Sequence, residues 1–419
     1  MMAKKSSASA NVELAISNRL EAMAPDYPSS KHVMMSLDTF EHDGPNGKHR
    51  CFVYKPMGST VASMVEKLPW NPPRTFRSPR PHYPKWMAKR ILKHSLSGLA
   101  FIHKNGIVHG DFQPGNLLFS IRGDLNLVDE SKLEQNNANI TEPIERLDGQ
   151  IDKWGPKYLV ISESLHEYAD LTANVEIKIS DFGAGKNPLT KGERPTNTDK
   201  AFWASDPPES TVSPVALRAP ELIFKESFDS SIDIWSFGCL IYELLTGVQL
   251  FNVYEMGADD RADTDDDHLL ELNDVIEPLP DLWLSKWPRA HKYFGPNRER
   301  LVPEDEDEDM EEDFIFANDD EFDKDYGNDE AYAGHMTDEP AEDENSEYDR
   351  ISVVDLGLAN EPPMITNDSL EVQFNKKKPD DIDSEEAKMI TELIREILRY
   401  EPSERPTAAD LLQHSWFKD

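Results

Sequence analysis

The sequence predicts an α+β fold of two lobes, a reduced β-containing N-lobe followed by a mainly helical C-lobe. Three observations carry this expectation. Residues 33–40 and 50–55 read as two strands joined by the turn Asp43-Gly44-Pro45-Asn46-Gly47. Beyond them, apolar residues recur at helical rather than alternating spacing. A chain of 419 residues is also long enough to bury a sizeable core and still carry inserts.

The elements follow in order. Asn11 is placed as the N-cap of a first helix that runs to about Met23, with Leu14, Ile16 and Leu20 on or near one face. Pro25 ends it. Residues 69–84 form a loop, because Pro69, Pro72, Pro73, Pro79 and Pro81 precede Pro84. Residues 86–104 then read as an amphipathic helix. Its core face is Met87, Ile91, Leu92, Leu96, Leu99 and Ile102, and Asn105-Gly106 stops it. Residues 232–248 form the longest apolar stretch, and Asp233, Ser236 and Glu243 interrupt it. It belongs inside a lobe, since a membrane span needs ~18 uninterrupted apolar residues. A late helix over 384–400 is expected to bury Met389, Ile390, Leu393, Ile394, Ile397 and Leu398, and another spans 408–414.

Composition narrows the class. The net charge is −36, and residues 304–349 carry 23 Asp or Glu against one cation, Lys324. Such a block repels itself and is expected to be a disordered, solvated insert. This charge disfavours direct nucleic-acid binding, and the basic stretch 74–90 is a short local exception. Cys51 and Cys239 give no disulfide framework and read as buried thiols in a reducing compartment. The first residues lack the apolar core of a secretory leader. A cytoplasmic or nuclear monomer without membrane contact is therefore expected.

Two short motifs carry chemistry. The first is His109-Gly110-Asp111-Phe112-Gln113-Pro114-Gly115-Asn116, followed by the strand-like Leu117-Leu118-Phe119. The second is Asp181-Phe182-Gly183, after the strand-like Val175-Glu176-Ile177-Lys178-Ile179. Phosphoryl transfer needs few protein parts: a carboxylate to orient the attacking hydroxyl, and an Asn and a second Asp to hold Mg²⁺ on nucleotide phosphates. Ala219-Pro220-Glu221, residues 229–238 and Glu401-Pro402-Ser403-Glu404-Arg405-Pro406-Thr407 then follow in order.

Taken together these motifs resemble the protein kinases, whose signature is an H-R-D-L-x-x-x-N loop, D-F-G and A-P-E. The resemblance narrows to the SR-protein kinase family and its divergent fungal members. It is carried by residues 44–54, Asp265-Asp266-Asp267-His268-Leu269, residues 408–417, and an insert running from Asp148-Gly149-Gln150 to Leu159. It covers about residues 11–120 and 175–419.

The resemblance implies an ATP- and Mg²⁺-dependent protein serine/threonine kinase with a bilobal protein-kinase-like fold. Its protein substrate would be basic and Arg/Ser-rich. Asp111 would orient the substrate hydroxyl and accept its proton. Gln113 would occupy the slot near the γ-phosphate. Asn116 and Asp181 would bind Mg²⁺. Met57, in the hinge segment Lys55-Pro56-Met57-Gly58, and Leu118 would contact the nucleotide, with Tyr54 behind the pocket. Lys5 and Glu13 would be the phosphate-binding Lys and its partner. Asp233 and the Glu221–Arg405 pair would be structural, and His109 would orient the loop backbone. The implied division is an N-lobe over 1–58, a C-lobe over 59–303 with an insert at 120–174, the acidic insert 304–349, and the rest of the C-lobe over 350–419. Within the 120–174 insert, residues 129–139 are polar, and Tyr158-Leu159-Val160-Ile161 reads as a packed segment.

Three features depart from the family pattern. Gly110 stands where the Arg before the catalytic Asp is expected, Gln113 stands for a Lys, and no Gly-rich loop precedes the first helix. Lys5 then reads more simply as part of a solvated terminal Lys pair, since no sequence remains to hold its strand in a sheet. Weak ATP binding and slow turnover are expected of the sequence as written. Two other readings stay open: a binding module with a kinase C-lobe and little or no turnover, and a kinase sequence shortened at its start.

Overall fold

The structure, a computed structural model, describes residues 7–44, 47–71, 80–133, 141–143, 158–160, 165–183, 201–208, 212–254, 261–301 and 366–418. Lys5, the acidic segment 304–349 and residues 184–200 of the expected activation segment lie outside them. The backbone divides into two compact units, Met1–Pro288 with Thr366–Asp419, and Arg289–Ile365.

In the first unit, helix α1 runs Ser7–Met23. It starts before Asn11 because Ala8 and Ala10 are the best helix formers and nothing there breaks the turn. Ile16 and Leu20 are buried. Pro25 and Pro28 then open two short 3-10 turns, Ala24–Asp26 and Pro28–His32. Strands β1 (Ser36–Gly44) and β2 (Gly47–Tyr54) form an antiparallel ribbon, with an irregularity between Ser36 and Asp38. Val33 and Met34 were expected in this ribbon and are not in it. Val33 bridges Ile179 in parallel, and the Met34 N–H donates to the Ile179 carbonyl at 2.8 Å. These two apolar residues are buried there, whereas Leu37 and Phe40 in the ribbon stay exposed.

Helix α2 (Val61–Met64) is capped by Thr60, whose hydroxyl accepts from the Ser63 N–H. Helix α3 (Lys85–Lys104) buries all six of its predicted core residues. It ends at Asn105, and Gly106 adopts φ +73°. Midway, Gly98 makes a notch: a Cβ there would lie 2.7 Å from Ile179 Cδ1 and 2.8 Å from the His32 carbonyl. Six short strands follow: β3 (Ile107–Val108), β4 (Leu117–Phe119), β5 (Thr141–Pro143), β6 (Tyr158–Val160), β7 (Ile177–Ile179) and β8 (Phe202–Trp203). They pair antiparallel as β3 with β8, β4 with β7 and β5 with β6. The β5–β6 pair lies in the insert. Tyr158, which starts its apolar run, is 54% exposed, so that ring does not pack as the run was expected to.

The rest of this unit is helical: α4 (Pro220–Ile223), α5 (Ser231–Thr246), α6 (Arg261–Val275), α7 (Asp281–Lys286), α8 (Leu370–Lys377), α9 (Ser384–Ile397) and α10 (Ala408–Leu411). The apolar stretch at 232–248 forms α5, which is buried on nearly every side and packs on α3, α8 and α9. Gly247, at φ +74°, ends it. Helix α9 buries Ile390, Leu393, Ile394 and Ile397 at its core, while Met389 sits on its flank, 38% exposed, beside the Ser415 hydroxyl. Helix α10 is short because the Thr407–Asp410 capping box opens it and turns follow Leu411. Cys239 is buried, but Cys51 is only half-buried because it lies in the exposed ribbon. Among the described residues, no helix is long and apolar enough to cross a membrane. In the second unit, the described residues 289–301 form a turn at Ala290–Lys292 and a bridge between Phe294 and Arg300.

Candidate active site

The site is built on two of the short strand pairs, β3–β8 and β4–β7. The loop 109–116 leaves β3 and re-enters the fold as β4. Strand β7 pairs with β4 and delivers residues 180–183 beside it. The Asn116 carbonyl accepts from both the Ser180 N–H at 2.8 Å and the Ser180 hydroxyl at 2.9 Å. Asn116 and Asp181 are 65 positions apart in sequence and are held together by these bonds.

Asp233, in the first turn of α5, fastens the loop from below. Its carboxylate accepts the His109 N–H at 2.8 Å, the Gly110 N–H at 2.9 Å and His103 Nε2 at 2.8 Å. Burial opposes its ionisation, yet the His103 bond and the two nearby histidines hold its carboxyl below the usual carboxylate range. His109 is itself fully buried. Its Nδ1 accepts the Asp111 N–H at 3.3 Å, which leaves Nε2 to donate to the Ser180 carbonyl at 3.0 Å. The ring also meets Phe182 edge-on, with centroids 5.4 Å apart. One imidazole therefore touches the backbone on both sides of the site, as expected for a residue that orients the loop.

Asp111 lies at the centre and is 2% exposed. Asn116 Nδ2 donates to its Oδ2 at 3.0 Å and to its main-chain carbonyl at 2.8 Å. Gln113 Nε2 donates to its Oδ1 at 2.7 Å. Gln113 thus has a partner in Asp111 that the sequence does not disclose. Two neutral amides thus hold this carboxylate, one at each oxygen.

The expected hinge comes next. The Gly58 N–H donates to the Phe119 carbonyl at 2.7 Å, the Phe119 N–H donates to the Ser59 carbonyl at 3.1 Å, and Thr60 bridges Leu118. Met57 and Leu118, both half-buried, are placed by this pairing. Asp181 adopts φ +67°, a strained backbone for a non-glycine residue. Glu13 on α1 faces it: a Cβ on Gly183 would lie 3.4 Å from Asp181 Oδ1 and 3.5 Å from Glu13 Oε2. Burial, and then the Asp181 charge, push the Glu13 carboxyl above its ordinary range. Burial and the Glu13 and Asp181 charges push the Tyr54 hydroxyl up to about 12. Tyr54 therefore looks onto the same acidic space.

Of the residues singled out in the sequence, Asp111, Gln113 and Asn116 form one hydrogen-bonded group. Asp181 and Glu13 stand beside it, and Met57 and Leu118 lie at the paired segments 58–60 and 118–119, the expected hinge. Two participants were not legible: His103, on the last turn of α3, and Ser213, whose hydroxyl donates to the Gly110 carbonyl at 2.7 Å. No local motif marks either one.

The donor set suits a magnesium nucleotide. Asn116 Nδ2 is engaged by Asp111, which leaves its Oδ1 for a ligand, and Asp181 adds a carboxylate. Both are hard oxygens of the kind Mg²⁺ takes when substrate phosphates complete its shell. Among the described residues, no three His, Cys, Asp or Glu side chains form a self-sufficient metal site.

An acid at the centre of a strapped loop, an Asn just before one strand and an Asp just after its pairing partner make the arrangement expected of a phosphoryl-transfer site. The protein kinase domain model matches residues 169–417, more than half of the chain, and the chain belongs to the protein kinase family. It is 28% identical over 292 residues to the serine/threonine-protein kinase SRPK of Physarum polycephalum, covering 67% of this chain and 60% of that protein. It is 25% identical to the protein kinase dsk1 of Schizosaccharomyces pombe, covering 64% of this chain and 58% of that one. It is 23% identical to the dual specificity protein kinase CLK1 of Mus musculus, covering 65% and 41%. The chain thus spans about 60% of the length of the SRPK relative it matches. A crystal structure of a kinase domain superposes with TM-score 0.50 over 99% of this chain and 85% of the other, at 18% identity, and supports the bilobal kinase fold.

Proposed function

We propose that this chain is an ATP- and Mg²⁺-dependent protein serine/threonine kinase of SR-protein-kinase type. It would act on Ser in basic, Arg/Ser-rich proteins, as a monomer in the cytoplasm, the nucleus or both. The observation that carries the reading is the Asp111–Gln113–Asn116 group, bonded at 2.7 and 3.0 Å and tied through Asn116 to the strand end that bears Asp181. Asp111 would receive the substrate hydroxyl and accept its proton as the bond to phosphorus forms. Asn116 and Asp181 would hold Mg²⁺, which when bound neutralises charge on the phosphates. The segment at Met57 would seat the adenine, and Leu118 would lie against it. Gln113 keeps the Asp111 carboxylate aimed.

The test is a direct one. The full chain is incubated with Mg²⁺-ATP and an Arg/Ser-repeat peptide, alongside an Asp111→Ala variant. Transfer by the parent and not by the variant supports the proposal, and equal transfer by both would refute it.

A second reading is a nucleotide-responsive binding module with little turnover. Gln113 favours it, because a neutral amide stands where the resemblance implies a Lys near the γ-phosphate. Nucleotide-induced thermal stabilisation without phosphorylation of any supplied peptide would select this reading.

A further inference from the structure

Gly110 has no side chain, yet its peptide groups are held on both sides. Its N–H donates to Asp233 Oδ1 at 2.9 Å, and its carbonyl accepts the Ser213 hydroxyl at 2.7 Å. Its φ of +73° is one that L residues adopt only with strain. The next N–H, that of Asp111, donates to His109 Nδ1 at 3.3 Å. The Gly110–Asp111 peptide is planar, so holding its C=O and its N–H sets the direction in which the Asp111 side chain leaves the backbone. Ser213 has a firm seat of its own. It is 4% exposed, and its carbonyl accepts Arg218 Nε at 3.1 Å.

We propose that Ser213 is a positioning residue for Asp111, acting through the Gly110–Asp111 peptide. A residue with a long side chain at position 110 could reach the segment before Ala219 by itself. Glycine cannot, and here the link runs the other way, from a serine on that segment to the loop backbone. Loss of the hydroxyl leaves a buried carbonyl without this donor and lets the peptide plane turn. Because Asp111 hangs from that plane, its carboxylate then departs from the attacking hydroxyl. The inference rests on the kinase reading given above.

The experiment compares the full chain with Ser213→Ala, Ser213→Thr and Ser236→Ala. Ser236 is the control: it is buried and donates to the Leu217 carbonyl at 3.2 Å, away from the loop. Peptide phosphorylation and amide exchange across residues 109–113 are both measured. Ser213→Ala is expected to lower kcat by about 10–100-fold, the scale of a small misplacement of a reacting group. KM for ATP and peptide should stay within about twofold, and the Asp111 amide should exchange faster. Ser213→Thr should restore both, and Ser236→Ala should leave both unchanged. If Ser213→Ala does not fold, Ser213→Cys, a weaker donor, replaces it with a smaller loss in the same direction. Unaltered exchange at Asp111, or a rise in KM with kcat preserved, would overturn the proposal. If the parent chain transfers no phosphate, the kinase reading fails, and the exchange comparison still decides whether Ser213 holds the loop.

Discussion

Arg405 and Glu221, 184 residues apart, meet in a doubly hydrogen-bonded pair at 2.6 and 2.8 Å with almost no solvent exposure on either side chain. The guanidinium also donates to the carbonyls of Arg399, Tyr400 and Ser231, and it lies 4.9 Å from the Trp235 ring centroid. It therefore joins α4, the start of α5 and the segment ahead of α10. Removing one partner leaves the other charged and buried, which destabilises by about 3–5 kcal/mol. Arg405→Met should show that loss in denaturant unfolding, and the double variant Arg405→Met with Glu221→Leu should recover much of it. A single variant as stable as the parent would contradict the structural role.

Asp111→Asn keeps the shape of the hydrogen-bonded group and removes the proton acceptor. Phosphorylation should fall by about 10²–10⁴-fold with the melting temperature nearly unchanged. Gln113→Lys should act in the opposite sense. A cation beside Asp111 supplies charge near the transferring phosphoryl group, and the rate should rise by up to about tenfold. A fall in rate with Gln113→Lys would mean that the amide's hold on Asp111 matters more than the missing charge.

Gly110 offers no guanidinium to grip a phosphate on the activation segment, and that segment is tied to the loop through Ser213. Activity should therefore not depend on phosphorylation of that segment. Phosphatase treatment of the purified protein, followed by peptide phosphorylation, checks this. A large loss would point to another cation, with Arg218 the first residue to substitute.

His32 and His94 stack with ring centroids 4.1 Å apart, and both bond the backbone of Ile177. The Ile177 carbonyl meets His32 Nδ1 at 3.1 Å, and the Ile177 N–H donates to His94 Nδ1 at 3.4 Å. Burial pulls both rings down in pKa, with Lys31 and Lys178 opposing charge on His32. Next to His94, His32 itself, Arg90, Lys31 and Lys93 do the same, and its value falls to about 3 from an ordinary 6.5. Folded-state values below the unfolded ones mean that the unfolded chain binds more protons, so stability rises with pH through this window. Acidification from pH 6.5 toward 3 should therefore destabilise the protein. By pH 5.5 the loss through His94 is on the order of 1 kcal/mol. Buried His268, also near 3, adds in the same sense. His94→Phe should flatten part of the melting-temperature profile between pH 7 and 5. An unchanged profile would show that His94 does not titrate with unfolding.

Local spacing made Asp111, Asn116, Asp181 and the buried face of α3 legible, because each depends on neighbours within one loop or one helix. The Arg405–Glu221 pair was legible through the ordered motifs that contain its members. What escaped depends on distant chain. Val33 left its expected strand for a parallel bridge to Ile179, 146 positions on, and no periodicity reports such a partner. Gln113 was read by what it lacks, a charge, and not by the Asp111 oxygen it holds. The first turn of α1 escaped for a local reason, since a serine-alanine run starts a helix without a recognisable cap.

The missing side chain of Gly98 admits the His32 carbonyl on one side and the tip of Ile179 on the other, and residue 179 lies two positions before Asp181. The segment that leads into the β1–β2 ribbon and the strand that leads to Asp181 thus bear on one point of one helix. Rocking of the smaller lobe would turn about this fulcrum, with little sliding across the helix surface. The lever arm from pivot to Asp181 is short, so Asp181 would travel least as the smaller lobe moves.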